Sequence, residues 1–597
     1  MARTYESALA HLAALQSNRA ITSLFTPPPA PAPAPPSIPT SSPSSPAQPP
    51  KKDLNALAIP EMLAWLRRGG VAQADLAGLR CIHVAGTKGK GSVCAYLTAL
   101  LLTRGGVAGK VGTYTSPHLV SVRERIAIDG EPISRASFAR YFFEVWDACT
   151  EAARAELAAR RRSGAGAGSA EKRDGEEISE EEELRGPATK PFYFRFLTIV
   201  ALRAFLGEGV RSAVVECGIG GEYDSTNVLP AASVTASVVA QLGIDHVGML
   251  GGTLPEIAWH KAGVCKAGRK CFTRRLGGEG GAGGDAEKPA GETMLVLRRR
   301  ASEKGATLVE VADADVERWG GVGVGAAEKG RGTLEGEFQK YNQALAVLAA
   351  REHLRVLASE DSNRSGSGIR DASTATSTDA ATATATVTNE SLEDVPSSFT
   401  AALQHARLRG RCETREDERA PITWLIDGAH TAESLTEVAR WFAGKIGRDD
   451  QSKTKTKTIL VFNQQDRDAA KLVSGFLGDV RAVVSSPGEK EGAGYAFTHA
   501  IFARNDLVPR VVATDTGEPT EEPERDLSVQ RAAAAALSAS SPGTPTSVLD
   551  NVADAVEEAR ALANREGGDG RRTFVLVTGS LHLVGALLRT LEPDAED

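Results

Sequence analysis

The sequence lacks closely spaced cysteines, long apolar runs and an excess of basic residues. Its seven cysteines include no CxxC pair, which argues against a zinc site or a disulfide framework and indicates reduced thiols in a reducing compartment. No apolar run is long enough to cross a bilayer, so we expect no integral membrane segment. The formal net charge of −7 argues against general nucleic-acid binding, and we expect no nucleic-acid partner.

The chain is long enough for two domains and additional segments. It has 597 residues, of which 42% are hydrophobic and 24% charged, as in a soluble globular protein. The N-terminus has no secretory apolar core, so we expect a cytoplasmic protein. A mitochondrial form is the alternative, because the first residues combine a mild helical pattern with arginines.

The stretch 81–100 carries a phosphate-binding pattern. A short apolar run is followed by Gly86-Thr87-Lys88-Gly89-Lys90-Gly91-Ser92 and then by an apolar helical pattern. Glycines let the backbone approach an anion, a helix start favours negative charge, and a lysine neutralises phosphate. The pattern departs from the strict Walker sequence, since Gly91 separates Lys90 from Ser92. We therefore expect a nucleoside triphosphate here, the alternative being a glycine-rich turn without ligand.

Strand-like and helix-like segments alternate from residue 81 onward. Such alternation predicts mostly parallel sheets covered by helices. The expected fold class is α/β, with a P-loop-type, mostly parallel-sheet ATPase domain and a smaller Rossmann-like α/β C-terminal domain. The clearest helical patterns are 138–158, 192–206 and 334–350, and the clearest strands are 212–216, 422–426 and 574–577.

The expected domain boundaries follow from segments of low complexity. The first domain is expected over 1–358 and the second over 399–597, with a linker rich in Ser, Thr and Ala over 359–398. Such compositions do not build a packed core. We accordingly expect disordered inserts near 26–52, 160–190, 277–291 and 515–546.

Polar residues follow several apolar strands, at the edge of a parallel sheet where ligands bind. Ser116 comes after the strand-like 111–114, and Glu216 ends the strand-like 212–216. A carboxylate in that place suits Mg²⁺, which prefers oxygen ligands and keeps water and phosphate oxygens around it. The alternatives are a simple turn at Ser116 and a buried or capping acid at Glu216.

His246 allows two interpretations, and Lys261 raises the question of a buried charge. His246 follows the strand-like 233–241 and is either a metal ligand or a core histidine, with the residue alone favouring the core. Lys261 lies in an otherwise apolar stretch, where burial without a partner would be costly.

The expected second domain adds two charged clusters. Arg407, Arg409 and Arg411 bring three guanidinium groups close together, which suits phosphate or carboxylate contacts. A solvated basic turn is the alternative. Asp427 follows the strand-like 422–426 and either closes over a nucleotide or caps the following helix.

A series of motifs runs along the chain in the order HVAGTKGKGS, YTSPHLVSVRERIAIDGEPIS, KPFYFRFLTIVALRAF, VVECGIGGEYDSTNVL, LGIDHVGMLGGTLPEIAWHKAGVCKAG, YNQALA, RLRGRCE, WLIDGAHTAES, FNQQDRD and TGSLHLVG. Together they resemble the motifs of the folylpolyglutamate synthase family, within the Mur ligase superfamily, in its eukaryotic, fungal-like branch. The resemblance covers both expected domains but not the inserts. Cys217 stands where the family usually has an aliphatic residue.

The resemblance implies roles for particular residues. Those it marks as catalytic are Lys90, Lys261 and His430. Those it marks as Mg²⁺ ligands are Ser116, Glu216 and His246, with a monovalent cation such as K⁺ as an open addition. Those it marks as ATP-binding are Gly86, Thr87, Lys88, Gly89, Lys90, Gly91, Ser92, Asn342, Arg411 and Asp427. Lys261 would match a lysine that is carbamylated in many Mur-type ligases, a modification that turns a cation into an anion.

The resemblance also implies a reaction. The enzyme would be an ATP-dependent carboxylate–amine ligase that adds L-glutamate to the γ-carboxylate of reduced folylpoly-γ-glutamates through an acyl phosphate. Its partners would be reduced folates and L-glutamate, and it would act as a monomer. Two alternatives stay open: a dihydrofolate synthase that adds the first glutamate to dihydropteroate, and an ATP-binding scaffold without turnover.

Overall fold

A computed structural model describes residues 2–15, 54–163, 179–277, 287–323, 333–365, 391–447, 456–465, 467–484, 497–509, 524–564 and 572–593. The chain divides into two units. The first comprises Met1–Ser116, Arg125–Trp319 and Ala344–Val395, and the second comprises Pro117–Glu124, Gly320–Gln343 and Pro396–Asp597. The division thus assigns 117–124 and 320–343 to the second unit, while the sequence-based boundaries at 358 and 399 stay a prediction.

The first unit is built on an eight-stranded sheet. Its strands are β1 (Arg80–Ala85), β2 (Val111–Tyr114), β3 (Ile126–Ile128), β4 (Glu131–Pro132), β5 (Ser212–Glu216), β6 (Val234–Val239), β7 (Lys270–Arg274) and β8 (Thr307–Val311). They lie in the order β4-β3-β2-β5-β1-β6-β7-β8. The pairs β2–β3 and β3–β4 are antiparallel, and all the other pairs are parallel. Strands β1, β5 and β6 are almost entirely buried, which explains their continuous apolar runs. The predicted α/β class with a mostly parallel sheet is confirmed.

The helices before residue 366 are Tyr5–Ala13, Ala58–Arg68, Lys90–Leu102, Gly105–Ala108, Arg135–Arg162, Glu180–Arg185, Tyr193–Gly207, Val247–Leu250, Leu254–Lys261, Glu287–Glu303, Asp313–Trp319 and Gln339–Ser365. Aromatic packing joins two of them. The ring centroid of Phe142 in Arg135–Arg162 lies 5.0 Å from that of Phe196 in Tyr193–Gly207, and the ring centroid of Trp146 lies 5.6 Å from that of Phe196. No helix in the described residues is long and apolar enough to cross a membrane.

The second unit is built on a six-stranded sheet. Its strands are β9 (Glu413–Glu416), β10 (Ile422–Ile426), β11 (Lys457–Phe462), β12 (His499–Ala503), β13 (Thr546–Leu549) and β14 (Thr573–Thr578). They lie in the order β13-β12-β11-β14-β10-β9, all parallel except β9. Its helices are Ser397–His405, Ala432–Gly447, Ala469–Val484, Ser528–Ser540, Val552–Asn564 and Leu581–Leu591. Side chains alternate between two cores, since Trp424 and Ile426 pack on one face of the sheet and Leu425 on the other.

Several expected inserts are partly ordered, so these expectations are wrong in part. The helix Arg135–Arg162 runs into 160–190, and Glu180–Arg185 forms a second helix there. Ser179 caps that second helix, and its glutamates pair with arginines of the long helix, which glutamate-rich composition alone did not reveal. Helices also cover 287–291 and 359–365. The insert at 26–52 and the centre of the linker lie outside the described residues.

The expected insert over 515–546 is the clearest correction. Residues 528–540 form a helix that buries Gln530, Ala533, Ala534 and Leu537 against the second sheet. Its alanine-rich sequence resembles low complexity, but small side chains let a helix approach its neighbours closely. The sequence also predicts a strand at 511–514, which lies outside the described residues, and it does not predict β12 at 499–503.

A buried histidine fastens the helix Gln339–Ser365 to the first sheet. His353 is fully buried, with Nδ1 2.7 Å from the Thr235 hydroxyl and Nε2 2.9 Å from the Ser212 hydroxyl. Burial lowers the pKa of His353 from 6.5 to about 3, with smaller contributions from the charges of Arg211 and Arg80. The ring is therefore neutral in the folded protein near pH 7.

We expect this histidine to make the protein acid-sensitive. Its folded-state pKa of about 3 lies below the usual 6.5, so unfolding takes up a proton as the pH falls from 6.5 towards 3. Its contribution to stability is complete above that window and falls by up to ~1.4 kcal/mol per pH unit within it. In denaturant unfolding between pH 7 and pH 4, the free energy of unfolding should fall less steeply for His353→Leu than for the native chain. The exposed His405 supplies the control His405→Gln, and equal slopes for all three proteins would contradict the interpretation.

Candidate functional site

Four adjacent strands of the first sheet end at one edge. In the parallel set β2-β5-β1-β6, the last residues are Tyr114, Glu216, Ala85 and Val239. The segments that follow these residues carry most of the polar side chains singled out in the sequence. Because parallel strands point the same way, these segments meet at the carboxyl edge, where open α/β sheets bind ligands.

The loop after β1 is a close-packed turn into a helix. Gly86 has φ +151°, and a Cβ added there would lie 2.8 Å from the Cβ of Ala240. Gly89 has φ +79° and precedes the helix Lys90–Leu102, whose first intrahelical bond runs from Val93 N–H to Gly89 O. The N–H groups of the first helical turn have no intrahelical acceptor, and they suit an anion.

The first part of the loop is tied to the end of β6. The backbone N–H groups of Thr87 and Lys88 donate to Gln241 O at 2.9 and 3.1 Å. The Thr87 hydroxyl donates to Gly243 O at 3.0 Å and accepts from Gly243 N–H at 3.1 Å. In this conformation, these groups of Thr87 and Lys88 shape the loop, so the N–H groups at the helix start and the amine of Lys90 are the groups of the loop that suit an anion.

Lys261 lies beneath the loop. It ends the helix Leu254–Lys261, is 2% exposed, and donates from Nζ to Gly86 O at 2.8 Å. Burial lowers the pKa of Lys261 from 10.5 to about 7, and the positive charge of Lys90 adds to the shift. An appreciable fraction of this amine is therefore neutral near pH 7, when it is a nucleophile.

Glu216 joins two of the sequence motifs. Its Oε2 accepts the backbone N–H of Ser116 at 3.0 Å, and its Oε1 lies 4.0 Å from Lys90 Nζ. The residue is buried, with 3% exposure. Of the alternatives, a buried acid agrees with this exposure, whereas a helix cap is wrong, because Glu216 ends β5 and faces the loop lysine.

The donors near Glu216 suit a hard cation. The backbone of Ser116, a residue that carries a hydroxyl, contacts the carboxylate of Glu216. Mg²⁺ characteristically takes few protein oxygens and completes its shell with water and phosphate. His246 lies in the segment after β6, is exposed, and has a left-handed backbone with φ +51°. That exposure excludes the alternative of a core histidine. Among the described residues, no three His, Cys, Asp or Glu side chains group closely enough to hold a metal by themselves.

A buried polar chain lies behind Glu216, and no sequence motif assigned it a role. Thr226 donates to Asp224 Oδ1 at 2.6 Å, and His83 Nε2 lies 2.8 Å from the Thr226 hydroxyl and 3.1 Å from Cys217 Sγ. Asp224 also accepts the N–H of Ile219 at 2.9 Å. Burial raises the pKa of Asp224 and lowers that of His83 to about 3. The chain fixes the glycine-rich turn that follows β5; the sequence signal for it was a histidine inside an apolar strand.

In the second unit, Asp427 follows β10 and holds two backbone segments. Its Oδ2 accepts the N–H of Cys412 at 2.8 Å, and its Oδ1 accepts the N–H of Ala429 at 2.8 Å. Burial raises its pKa, and the positive charge of Arg411 opposes that shift. The alternative of a helix cap is wrong, because Thr431 and Ser434 bond to each other at the start of Ala432–Gly447.

The three arginines of the second unit have different surroundings. Arg409 pairs with Glu413 at 2.9 Å and Glu592 at 3.0 Å, which commits it to a structural network and not to a ligand. Arg407 is exposed. Arg411 has no carboxylate within 4.0 Å among the described residues, and its Nη1 lies 3.4 Å from Gly410 O. Of the three, Arg411 is the guanidinium best placed to meet an anionic ligand.

His430 and Asn342 also belong to the second unit. His430 is half-buried, and its Nδ1 lies 3.1 Å from Gly428 O. A carbonyl accepts only from Nδ1–H, which makes Nε2 the nitrogen that can take a proton. Asn342 is buried and donates from Nδ2 to Gln339 Oε1 at 2.9 Å, at the start of the helix Gln339–Ser365.

The chain is similar to curated fungal proteins over most of its length. A Neurospora crassa protein named folylpolyglutamate synthase is 34% identical over 550 residues, which are 90% of this chain and 86% of that protein. A Saccharomyces cerevisiae protein of the same name is 34% identical over 545 residues, which are 89% of this chain and 81% of that protein. No protein-family model matches the chain.

Solved structures share the fold. Mycobacterium tuberculosis folylpolyglutamate synthase complexed with ADP superposes with a TM-score of 0.56 at 21% identity, over 90% of this chain and 94% of that one. The folylpolyglutamate synthase of Thermotoga maritima superposes with a TM-score of 0.52 at 19% identity, over 89% and 92%. At these identities, both likenesses concern the fold alone.

The tight approach at Gly86 gives a stability prediction. Gly86→Ala should lower the free energy of unfolding by about 1–3 kcal/mol, because the backbone is strained for alanine and the added Cβ meets Ala240. Gly105→Ala is the matched control, since no atom lies within 4 Å of its added Cβ. Denaturant unfolding measures both, and equal stabilities would show that the close approach at Gly86 does not constrain the loop.

Proposed function

The chain belongs to the folylpolyglutamate synthase family, and we propose that it catalyses ATP-dependent addition of L-glutamate to the γ-carboxylate of folylpoly-γ-glutamates. The family membership rests on similarity across nine-tenths of the chain. The single observation that carries the chemistry is the carboxyl edge of the first sheet, where a glycine-rich helix start, Lys90, Glu216 and the buried Lys261 meet.

The proposed reaction has two steps. A γ-carboxylate oxygen of the folate attacks the γ-phosphorus of ATP, the bond to the β-phosphate oxygen breaks, and ADP leaves. The amine nitrogen of L-glutamate then attacks the acyl carbon, the bond to the phosphate oxygen breaks, and the amine loses a proton. Both steps depend on positioning and on neutralising phosphate charge.

The loop after β1 supplies the phosphate contacts in this proposal. The N–H groups of Gly91 and Ser92 bind the phosphates, and Lys90 neutralises their charge, while Gly86 to Gly89 shape the turn. Support comes from the geometry of the loop and from ADP in the related structure of Mycobacterium tuberculosis.

Ser116, Glu216 and His246 are the proposed holders of Mg²⁺. The oxygen donors of the first two fit the ion, which when bound supplies positive charge against the phosphate oxygens. Glu216 also holds Lys90 at 4.0 Å, so the acid orients the lysine whether or not it binds an ion.

In the second unit, we assign Arg411 and Asp427 to the nucleotide and Asn342 to its adenine. Arg411 suits a phosphate because its guanidinium has no carboxylate partner among the described residues. Asp427 keeps the backbone around Arg411 in place through Cys412 N–H. His430 is proposed to take the proton of the attacking amine on Nε2, since Nδ1–H faces Gly428 O. A monomer in the cytoplasm, with a mitochondrial form as the alternative, stays a prediction.

Lys90→Ala tests the proposed function. We expect it to abolish glutamate-dependent ADP release from ATP and a folate, because the phosphates lose their main positive partner. The measurement is ADP release together with mass spectrometry of the folate product, and circular dichroism establishes that the variant is folded. Comparing tetrahydrofolate with dihydropteroate as acceptor separates polyglutamylation from dihydrofolate synthesis.

Lys110→Ala is the matched control for that experiment. Lys110 is a surface lysine that faces Glu208 at 3.8 Å, away from the loop, and its loss should leave turnover intact. Turnover by Lys90→Ala at the native rate would overturn the assignment. ATP binding by the native chain without glutamate-dependent ADP release would favour the scaffold alternative.

We also propose that Lys261 is carbamylated. Its neutral amine attacks CO₂, an N–C bond forms, and one proton leaves the nitrogen, so that a buried cation becomes an anion beside Lys90. The pKa of about 7 favours this reaction above neutral pH, where the amine is unprotonated. We expect a carbamate signal in ¹³C NMR of protein equilibrated with ¹³C-bicarbonate at pH 8. The signal should be missing from Lys261→Met, and its absence from the native protein would contradict the proposal.

A further inference from the structure

A chain of amide side chains, two of them buried, crosses the carboxyl edge of the second sheet. Gln530 Nε2 donates to Asn463 Oδ1 at 2.8 Å, Asn463 Nδ2 donates to Asn505 Oδ1 at 2.7 Å, and Asn505 Nδ2 approaches Gln465 Oε1 at 3.3 Å. Gln530 lies on the helix Ser528–Ser540, whereas Asn463 and Asn505 follow β11 and β12. We call Gln530, Asn463 and Asn505 the amide chain.

The amide chain is most deeply buried at Gln530 and Asn463. Gln530 and Asn463 are each 2% exposed, while Gln465 is exposed. Gln530 Oε1 has no hydrogen-bond partner among the described residues. A buried amide that leaves one acceptor unsatisfied is costly and would gain stability by replacement with an apolar side chain. Its presence therefore calls for an explanation other than stability.

A second line of bonds runs from the amide chain to the proposed catalytic residues. Gln464, next to Asn463, donates from Nε2 to Gly579 O at 3.0 Å. Gly579 N–H donates to Ala429 O at 2.9 Å, and Ala429 N–H donates to Asp427 Oδ1 at 2.8 Å. The line thus crosses from the end of β11 to the end of β14 and on to the end of β10, directly before His430.

Close packing makes this line stiff. Gly579 has φ +105°, and a Cβ added there would lie 2.5 Å from Asn463 O. A shift of Asn463 therefore displaces Gly579, and with it the carbonyl of Ala429. Since amides carry no charge, the arrangement stays the same at every pH in which the protein is folded.

From this geometry we propose that Gln530 is a positioning residue for the reaction. Through Asn463 it fixes the segment 463–465, and through Gly579 it fixes the place of Asp427 and His430. The inference rests on the proposed function, because it assigns Asp427 and His430 to the reacting groups. It adds a residue from a helix outside the motifs and gives the unsatisfied Gln530 amide a role.

Gln530→Met is the first test, because methionine keeps the volume and removes both polar groups. We expect kcat for glutamate-dependent ADP release to fall about 10- to 100-fold, the effect of a small misplacement of reacting groups. The affinity for ADP, measured by calorimetry, should fall as well, because Gln530 is proposed to fix the place of Asp427, which is assigned to the nucleotide. An unchanged kcat would overturn the proposal.

A double-mutant cycle separates positioning from general destabilisation. If Gln530 acts through Asn463, then Gln530→Met combined with Asn463→Ala should lower kcat no more than the stronger single variant. If the two substitutions instead lower kcat by the product of their single effects, the proposal is overturned. Leu537→Ala, a core change on the same helix, is the stability control and should lower Tm with kcat retained. A matching loss of kcat in that variant would show a merely structural role for Gln530.

The same assays distinguish failure of the inference from failure of the proposed function. If the native chain releases no ADP in response to glutamate, the proposed function fails. If the native chain and Gln530→Met turn over equally, only the positioning role fails.

Discussion

The parallel pairing of β1 with β5 on one side and β6 on the other is the constraint on which the first unit depends. It brings the residues after three separate strands to a common edge. Gln241 O can accept from both Thr87 and Lys88 only because the register of β1 and β6 sets Ala85 beside Val239. The loop conformation is thus a property of the sheet as much as of its glycines.

Charge at this edge is held in an unusual balance. Lys90 approaches the carboxylate of Glu216, whereas the buried Lys261 has no such ion pair among the described residues, and its burial as a cation would be costly. Burial lowers the pKa of Lys261, and its Nζ donates a hydrogen bond to the carbonyl of Gly86. A carbamate at this position would reverse the sign of the charge and turn the repulsion of Lys90 into attraction, which is why the proposed modification agrees with the burial.

The second unit fixes its edge by a different means. Backbone N–H groups hold both oxygens of Asp427, and neutral amides connect the ends of β11, β12 and β14. Arg409 is neutralised by Glu413 and Glu592, whereas Arg411 has no carboxylate within 4.0 Å in the described segments. The first unit therefore brings lysines and a carboxylate together at its edge, whereas the second combines the buried carboxylate of Asp427 with a set of neutral amides.

The sequence by itself determined the α/β class, the phosphate-type loop and the family, because apolar periodicity and glycine spacing are local properties that survive in linear order. It also placed Glu216 and Asp427 at strand ends. It could not determine that Lys261 lies under Gly86, that Asp224, Thr226 and His83 form one buried chain, or that Gln530 reaches Asn463. These contacts join residues far apart in the chain, and only the register of the sheets and the packing of helices on them bring such side chains within hydrogen-bonding distance. The alanine-rich stretch 528–540 shows the same limit, since its composition resembles an insert until a sheet is available for it to cover.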